Sequence, residues 1–424
     1  MNYHDVKRMV TDSGIWRGGE NHTFVLSPSV YHVTPSEKTE LEKLGQALYD
    51  CLGGLGRIAT IAFDPKLHHS NTWNKFSKVL GIEIPNVYRH IMPLKPSLVP
   101  AICKVDLMKS EDGRYCIAEI DGHNKHGLGY STLAARLRQA LYPEARSFPG
   151  VAVSLAASIK RLGKDAVTLL YSDRERFYLP EFTILKSGLA DSGIRTTIVG
   201  ENDVVMNGNG DFATKEGEEI HELFIDFPFL FSNQFLNVRL ADLYGKGEID
   251  FLIPPKPFFG SKAVLALIKN DEGDEDLEAI LKSQIPSRSL ESLRRYIPPT
   301  YLVHKGENRD YWSSKMNGTS FVIKESVSSG MKGVAFRGDS EFEETLSLAS
   351  RSFYRFILQE EVHNFPQRFS YYSEKGELLE DDWFMRITVH YSMRSVGDIV
   401  VTARRDKKVH GAPDSLQLGT IISD

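Results

Sequence analysis

Cysteine is scarce in this chain of 424 residues. Cys51, Cys103 and Cys116 are too few and too scattered for a disulfide framework or a zinc site. Long hydrophobic runs are missing too, since none approaches the roughly 20 apolar residues that cross a bilayer. Residues 1–10 carry charge throughout and lack the apolar core of a signal peptide, so a cytoplasmic protein is expected. Neither sign of charge dominates: 51 basic against 56 acidic side chains leave a net charge of −5. No broad basic surface follows, which argues against a dedicated nucleic-acid binder. Internal repeats and low-complexity stretches are also lacking. What remains is an ordinary globular composition, 41 % apolar and 25 % charged, at a length suited to two or three domains. Membrane and nucleic-acid roles are thereby set aside; the class of enzyme is not.

The first clear helix start is Thr34-Pro35-Ser36-Glu37, where Thr34 caps, Pro35 takes the first helical position and Glu37 completes a capping box. Leu41, Leu44, Leu48 and Leu52 continue it as a core-facing stripe. Gly53-Gly54-Leu55-Gly56 follows a helix and opens none, so it reads as a helix stop and not as a phosphate loop. Strands are expected at 102–108 and 115–120, around a Ser110-Glu111-Asp112-Gly113 turn. A helix then runs through Leu133, Leu137 and Leu141, and Pro143 and Pro149 mark a boundary. From residue 151 helix and strand alternate: helices at 151–162 and 179–190, strands at 166–171, 195–199 and 221–227, and a hairpin turn at Asn207-Gly208-Asn209-Gly210. That alternation implies a small open α/β domain. Its strand ending at Tyr171 lacks the glycine-rich turn of a Rossmann nucleotide site. Pro254-Pro255-Lys256-Pro257 reads as a linker, and the acidic run 271–276 as a solvated loop before a helix from Leu277. Strands at 321–324, 355–359, 384–391 and 398–403, with a helix at 341–352, follow.

Four constellations carry chemistry. In the first, a strand ending in Lys324 leads into Ser328-Ser329-Gly330-Met331-Lys332-Gly333. Glycines let backbone N–H groups approach phosphate oxygens, and a lysine adds a point charge. A plain hairpin with a loose turn is the alternative. The second is Ile357-Leu358-Gln359-Glu360-Glu361-Val362, a strand leaving the core or a hinge whose backbone pairs with a base. The third sets Asp106 on one strand of a hairpin and Glu119 and Asp121 on the other. Residues two apart on a strand share a face, so the three carboxylates can converge. Without an Arg or Lys partner they would repel, and a divalent cation such as Mg²⁺ resolves that. The fourth is Arg386 within an apolar strand and Arg404-Arg405 at the end of another. Each needs an anionic partner, a transferred phosphate or a structural ion pair.

Together these pieces resemble the ATP-grasp superfamily. In an ordinary chain of that family the phosphate-loop lysine and hinge come first and the acidic metal hairpin comes last. Here Asp106, Glu119 and Asp121 precede Lys324. That order resembles the circularly permuted members, the group that includes glutathionylspermidine-synthase-like ligases. The segment Phe259-Gly260-Ser261-Lys262-Ala263 and the central α/β domain resemble the same group, and the likeness covers 97–424. It implies an α/β (α+β) fold: a circularly permuted ATP-grasp core with a small open α/β pre-ATP-grasp domain. Residues 1–150 would end in the metal hairpin, 151–255 would form the small domain, and 256–424 the lid and C-terminal core strands. Strands near Asp106 must then pack against those near Arg386 and Arg404. The cofactors implied are ATP and Mg²⁺. By position, Lys324, Ser328, Ser329, Gly330 and Gly333 would hold phosphates, and Gln359, Glu360 and Val362 would line the adenine. Asp106, Glu119 and Asp121 would bind Mg²⁺, and Arg386 and Arg404 would contact the γ-phosphate or an acyl phosphate. Asp121 stands where the family has Asn, and Asn124 is the alternative third ligand. On the same loop, His123, Asn124 and His126 are candidate substrate contacts, either histidine being a general-base candidate.

The leading expectation is an ATP-dependent ligase that joins a small-molecule carboxylate to an amine through an acyl phosphate. The first cysteine is Cys51, so an amidase domain with an N-terminal Cys nucleophile is not expected. A kinase on the same scaffold and a non-catalytic nucleotide-binding scaffold are the rivals. The region 1–31, with Trp16, Arg17, His22 and Tyr31, belongs either to an acceptor pocket or to packing.

Overall fold

The computed structural model describes residues 2–15, 24–64, 66, 70–206, 212–218, 220, 223–224, 231–307, 309–316, 318–328 and 333–424. Helix Pro35–Ala62 starts as its residues dictate. The Thr34 hydroxyl accepts from the Glu37 amide at 3.2 Å, and the Glu37 carboxylate accepts from the Thr34 amide at 2.8 Å. Leu41, Leu44, Leu48 and Leu52 are fully buried along one face. The expected stop at Gly53-Gly54-Leu55-Gly56 does not occur, and the helix runs on to Ala62. Two of these glycines serve close packing. A Cβ on Gly54 would stand 2.2 Å from Ile285 Cγ1, and one on Gly56 2.4 Å from the Pro96 carbonyl oxygen. Tertiary approach outweighs the helix-propensity cost of about 1 kcal/mol per glycine.

The main sheet has seven strands and open edges. Its order is Tyr31–Val33, Leu416–Ile422, Ser395–Arg404, Leu378–Ser392, Ile102–Lys109 and Tyr115–Asp121, with Gln367–Tyr372 paired beside Leu378–Ser392. The first pair is parallel and the others are antiparallel. The hairpin at 102–121 is thus built into strands from the far end of the chain. Asp106 stands opposite Thr388 on one side and Glu119 on the other. Strand alternation sorts the residues by face. Val105, Leu107, Ile387, Val389 and Tyr391 join the main core. There Tyr391 Oη donates to the Leu41 carbonyl of the long helix at 3.0 Å. Lys104, Asp106, Arg386, Thr388 and His390 take the other face and line a cavity. Helix Leu128–Leu141 covers part of that face, so closely that a Cβ on Gly419 would meet the Ala134 carbonyl oxygen at 2.7 Å.

A four-stranded antiparallel sheet, Val334–Phe336, Phe321–Glu325, Phe356–Glu360 and Thr300–Leu302, has its own core of Trp312, Phe321, Ile323, Phe342, Leu346 and Leu358. A three-stranded parallel sheet, Arg195–Gly200, Ala166–Tyr171 and Leu223–Phe224, packs with helix Leu179–Asp191, which in turn packs on helix Val151–Arg161. Strands Val204–Met206 and Phe212–Thr214 pair antiparallel. The turn expected at 207–210 and most of the strand expected at 221–227 lie outside the described residues, as do Trp16, Arg17 and His22.

Pro254-Pro255-Lys256-Pro257 is not an exposed linker. Residues 251–268 are buried throughout, because the apolar run around the prolines belongs to the main core. Lys256 Nζ donates to the Lys95 carbonyl at 3.0 Å, and burial lowers its pKa to about 8. Among the described residues, no helix is long and apolar enough to cross a membrane.

Candidate functional site

Two cavities meet at the 102–121 hairpin. The smaller, of about 510 Å³, lies between this hairpin and the four-stranded sheet. Alternation along Phe321–Glu325 sends Phe321 and Ile323 into the sheet's own core and Val322 and Lys324 into the cavity. Lys324 Nζ donates to Gln359 Oε1 at 2.6 Å and to the Ala118 carbonyl at 3.0 Å. Gln359 is buried and its amide donates to the Ile117 carbonyl at 3.3 Å and Thr300 Oγ1 at 3.1 Å. These two side chains therefore tie the small sheet to the hairpin. Burial lowers Lys324 to about 8; Glu119 and Asp106 oppose the shift and Lys262 adds to it. Glu360 and Val362 also line the cavity, at the exit of the Gln359 strand. Gly333 closes the loop after Lys324 at φ 67°, where a Cβ would press on Glu325 at 2.7 Å. Ser329 and Gly330 lie outside the described residues. Ser328 faces the other cavity.

The sequence reading left the three carboxylates without cationic partners, and the structure corrects this. Arg386 Nη1 lies 3.3 Å from Asp106 Oδ2, Lys262 Nζ 2.9 Å from Glu119 Oε1, and Lys104 Nζ 2.8 Å from Asp121 Oδ2. Arg386 and Lys262 come from elements distant in sequence, which local spacing does not reveal, whereas Lys104 stands opposite Asp121 within the hairpin itself. Among the described residues, no group of three or more His, Cys, Asp and Glu gathers as metal ligands would. Asp106 and Glu119 face both cavities, whereas Asp121 lines only the larger one. Burial alone would raise the Asp121 carboxyl, but Lys104 and His123 hold it well below the usual carboxylate range. The alternative ligand Asn124 is also engaged, its amide donating to Asp121 Oδ2 and its oxygen accepting from Lys104. Two carboxylates on opposed ladder positions still fit Mg²⁺, which takes one or two from protein and the rest from phosphates and water. Arg386 belongs to the same wall. It lines both cavities, and its buried Nε has no hydrogen-bond partner. Arg404 does not join it. Its guanidinium forks onto Asp414 at 3.0 and 2.8 Å and donates to the Lys408 carbonyl, and Arg404 itself lines neither cavity.

The larger cavity, of about 590 Å³, lies over the polar face of the main sheet. Its loop candidates are firmly placed. His123 is buried, with Nδ1 3.0 Å from Asp121 Oδ1 and its ring seated where a Gly260 Cβ would otherwise be. His126 Nε2 lies 3.1 Å from Glu175 Oε1, and its ring stacks on Tyr178 at 3.7 Å. Glu175 also holds the fully buried Lys125. Both histidines line the larger cavity together with Asp106 and Glu119.

Sequence reasoning missed Lys262, Lys104, His390 and Glu181. Lys262 Nζ pairs with Glu119 and donates to the Ser328 carbonyl at 3.0 Å, linking the acidic wall to the loop after Lys324. The available signal was a charged residue inside the apolar stretch 251–268, the same signal that marked Asp106. His390 is buried on the cavity floor with Nε2 unpartnered; burial lowers its pKa to about 3, with Lys104 adding and Asp121 opposing.

The site is thus a paired one: a cation-rich cavity and an acid-rich cavity with a common wall of Asp106, Glu119 and Arg386. No family model matches the chain, and no curated protein matches it. Among solved structures it is similar to one from Methylobacillus flagellatus KT provisionally described as a gamma-glutamylcysteine synthetase. That likeness has 11 % identity and a TM-score of 0.43, over 76 % of this chain and 80 % of that one. D-alanyl-alanine synthetase A from Vibrio cholerae O1 biovar eltor is another, at 10 % identity and a TM-score of 0.30, over 61 % of this chain and 88 % of that one.

Proposed function

We propose that this protein is an ATP-dependent ligase that joins a carboxylate to an amine through an acyl phosphate, on a circularly permuted ATP-grasp core. The observation that carries the reading is the wall of Asp106, Glu119 and Arg386, which faces both cavities. A nucleotide in the smaller cavity would present its γ-phosphate at that wall, and a carboxylate in the larger cavity would meet it there. Lys324 and Lys262 would neutralise phosphate charge, and Val322, Val334, Phe336 and Val362 supply an apolar bed for the base. Asp106 and Glu119 would hold Mg²⁺, whose chemistry there is charge neutralisation along the phosphates. The domain division at 150 and 255, and a cytoplasmic protein working on small molecules, belong to the same reading.

In the first step a substrate carboxylate oxygen attacks the γ-phosphorus and the bond to the β-phosphate oxygen breaks, releasing ADP. Arg386 stabilises charge on the transferred group. In the second step the amine nitrogen attacks the acyl carbon, the C–O bond to phosphate breaks, and the amine loses a proton. No side-chain nucleophile is required; positioning and charge stabilisation do the catalysis. The test is ADP and phosphate release against a panel of amino acids, small peptides and polyamines. Stoichiometric phosphate release only when a carboxylate and an amine are both present supports the ligase. ADP without free phosphate indicates a kinase, and ATP binding without turnover on the whole panel a scaffold.

A further inference from the structure

The two cavities differ in charge once the shared wall is set aside. The described lining of the larger one has four carboxylates, Glu83, Asp121, Glu181 and Glu325, against two cations, Lys104 and Arg355. The smaller one reverses this, with five cations against Glu111, Glu360 and Glu361. Most of the larger cavity's carboxylates are already balanced. Asp121 pairs with Lys104, and Arg355 pairs with Glu325 at 2.6 Å and stands 3.9 Å from Glu83. Glu181 is different. It sits in the first turn of helix Leu179–Asp191 and is 2 % exposed. Its Oε1 accepts from the Gly129 amide at 3.3 Å, while Oε2 is buried without a hydrogen-bond partner. An acceptor buried and unpaired is a substantial cost, so a ligand that donates to it gains correspondingly. Burial raises the Glu181 carboxyl above its ordinary value, with His126, Lys104 and the Gly129 and Gly127 amides opposing. Phe24, Tyr130 and Tyr178 line the same cavity, and aromatic faces attract cations.

We propose that the Glu181 end of the larger cavity binds a cationic, ammonium-bearing group of the co-substrate, with Glu181 Oε2 as its acceptor. That the ligand is a co-substrate rests on the ligase reading; that it is a cation rests on the cavity alone. An ammonium N–H donates to Oε2, its charge offsets the acid excess, and the aromatic rings enclose its carbon chain. Glu181 acts by binding, and no proton transfer is assigned to it.

The probe is n-butylammonium chloride, with 1-butanol as the neutral molecule of the same size, titrated into the full chain without nucleotide and followed by calorimetry. The expected result is saturable butylammonium binding at least about tenfold tighter than butanol, a gap of about 1.4 kcal/mol. Glu181→Gln should remove that preference and leave butanol binding unchanged. In the wild-type protein, the ¹³C signal of the Glu181 carboxyl should titrate at lower pH when butylammonium is present. Equal binding of the two probes overturns the proposal, as does a Gln variant that keeps the preference. If that variant does not fold, an unmoved carboxyl midpoint in the wild type overturns it. A protein that prefers butylammonium but never turns over ATP keeps this site and loses the ligase reading. One that ligates but shows no preference for the cation loses this site alone.

Discussion

Thr388 and Asp106 lie 282 positions apart and face each other directly in the main sheet, the Thr388 hydroxyl donating to Asp106 Oδ1 at 2.6 Å. Arg386 holds the other carboxylate oxygen at 3.3 Å. Asp106 is therefore oriented from both sides by one strand from the far end of the chain. Thr388→Val keeps the shape and removes the donor. Stability should fall by about 1 kcal/mol, the net worth of such a bond. The Mg²⁺ concentration for half-maximal ADP release should rise as Asp106 loses its orientation. Thermal unfolding and a Mg²⁺ titration check the two effects, and an unchanged Mg²⁺ requirement removes the orienting role.

Glu119 and Asp121 share a face of one strand but not one task. Glu119 lines both cavities and Asp121 only the larger, locked to Lys104 and His123. Glu119→Gln should cut ADP release by about a hundredfold, a barrier increase of about 2.7 kcal/mol, and raise the Mg²⁺ requirement. Asp121→Asn should leave the Mg²⁺ requirement within about threefold of wild type and lower stability, because Lys104 is left buried without its counter-charge. Equal Mg²⁺ dependence in the two variants would restore a three-carboxylate site.

The two arginines of the C-terminal strands also separate. Arg386 stands on the common wall with an unpartnered Nε, and Arg404 is committed to Asp414 and the Lys408 carbonyl. Arg386→Ala should lower kcat by about a hundredfold or more, with nucleotide affinity reduced far less, since its contact strengthens as charge develops on the transferred group. Arg404→Ala should cost about 1 kcal/mol of stability, in the range of exposed ion pairs. Its kcat should change by less than about tenfold. Steady-state kinetics on both variants settles the assignment, and a collapse of kcat in the Arg404 variant would return that residue to the site.

Much of this was legible in the sequence, for identifiable reasons. The capping box at Thr34 and Glu37, the strand 166–171 and the 102–121 hairpin are local signals, and each forms where it was expected. Lys324 and Gln359 lie on strands whose alternation sends both into one cavity. The misses are tertiary. Gly54 and Gly56 looked like a helix stop, because nothing local says that Ile285 and Pro96 press against them. The prolines at 254–257 looked like a linker, because their burial comes from the apolar neighbours around them. The partners of the acidic hairpin, Lys104, Lys262 and Arg386, could not be matched to their carboxylates without the sheet register and the cavity. Glu181 carries no motif; only its burial with an empty acceptor marks it.

Lys324 gives a prediction in pH. Burial lowers its folded pKa to about 8, below the 10.5 of an exposed lysine, against the opposing carboxylates Glu119 and Asp106. Between these two values the unfolded chain binds the proton and the folded chain does not. The contribution of this residue to stability therefore rises with pH across that window and is most unfavourable below it. Lys324→Met should accordingly stabilise the free protein at pH 7 and lose that advantage toward pH 10. Nucleotide acts in the opposite sense. Phosphate oxygens favour the charged ammonium, so binding raises the lysine pKa again. Near pH 8 the complex should take up about half a proton, and nucleotide affinity should fall as pH rises through that point. Calorimetry in two buffers of different ionisation enthalpy reads the proton directly. A binding heat independent of buffer, with affinity flat from pH 7 to 9, would place the phosphates away from Lys324. The Met variant is the control, because it should bind weakly and without the pH dependence.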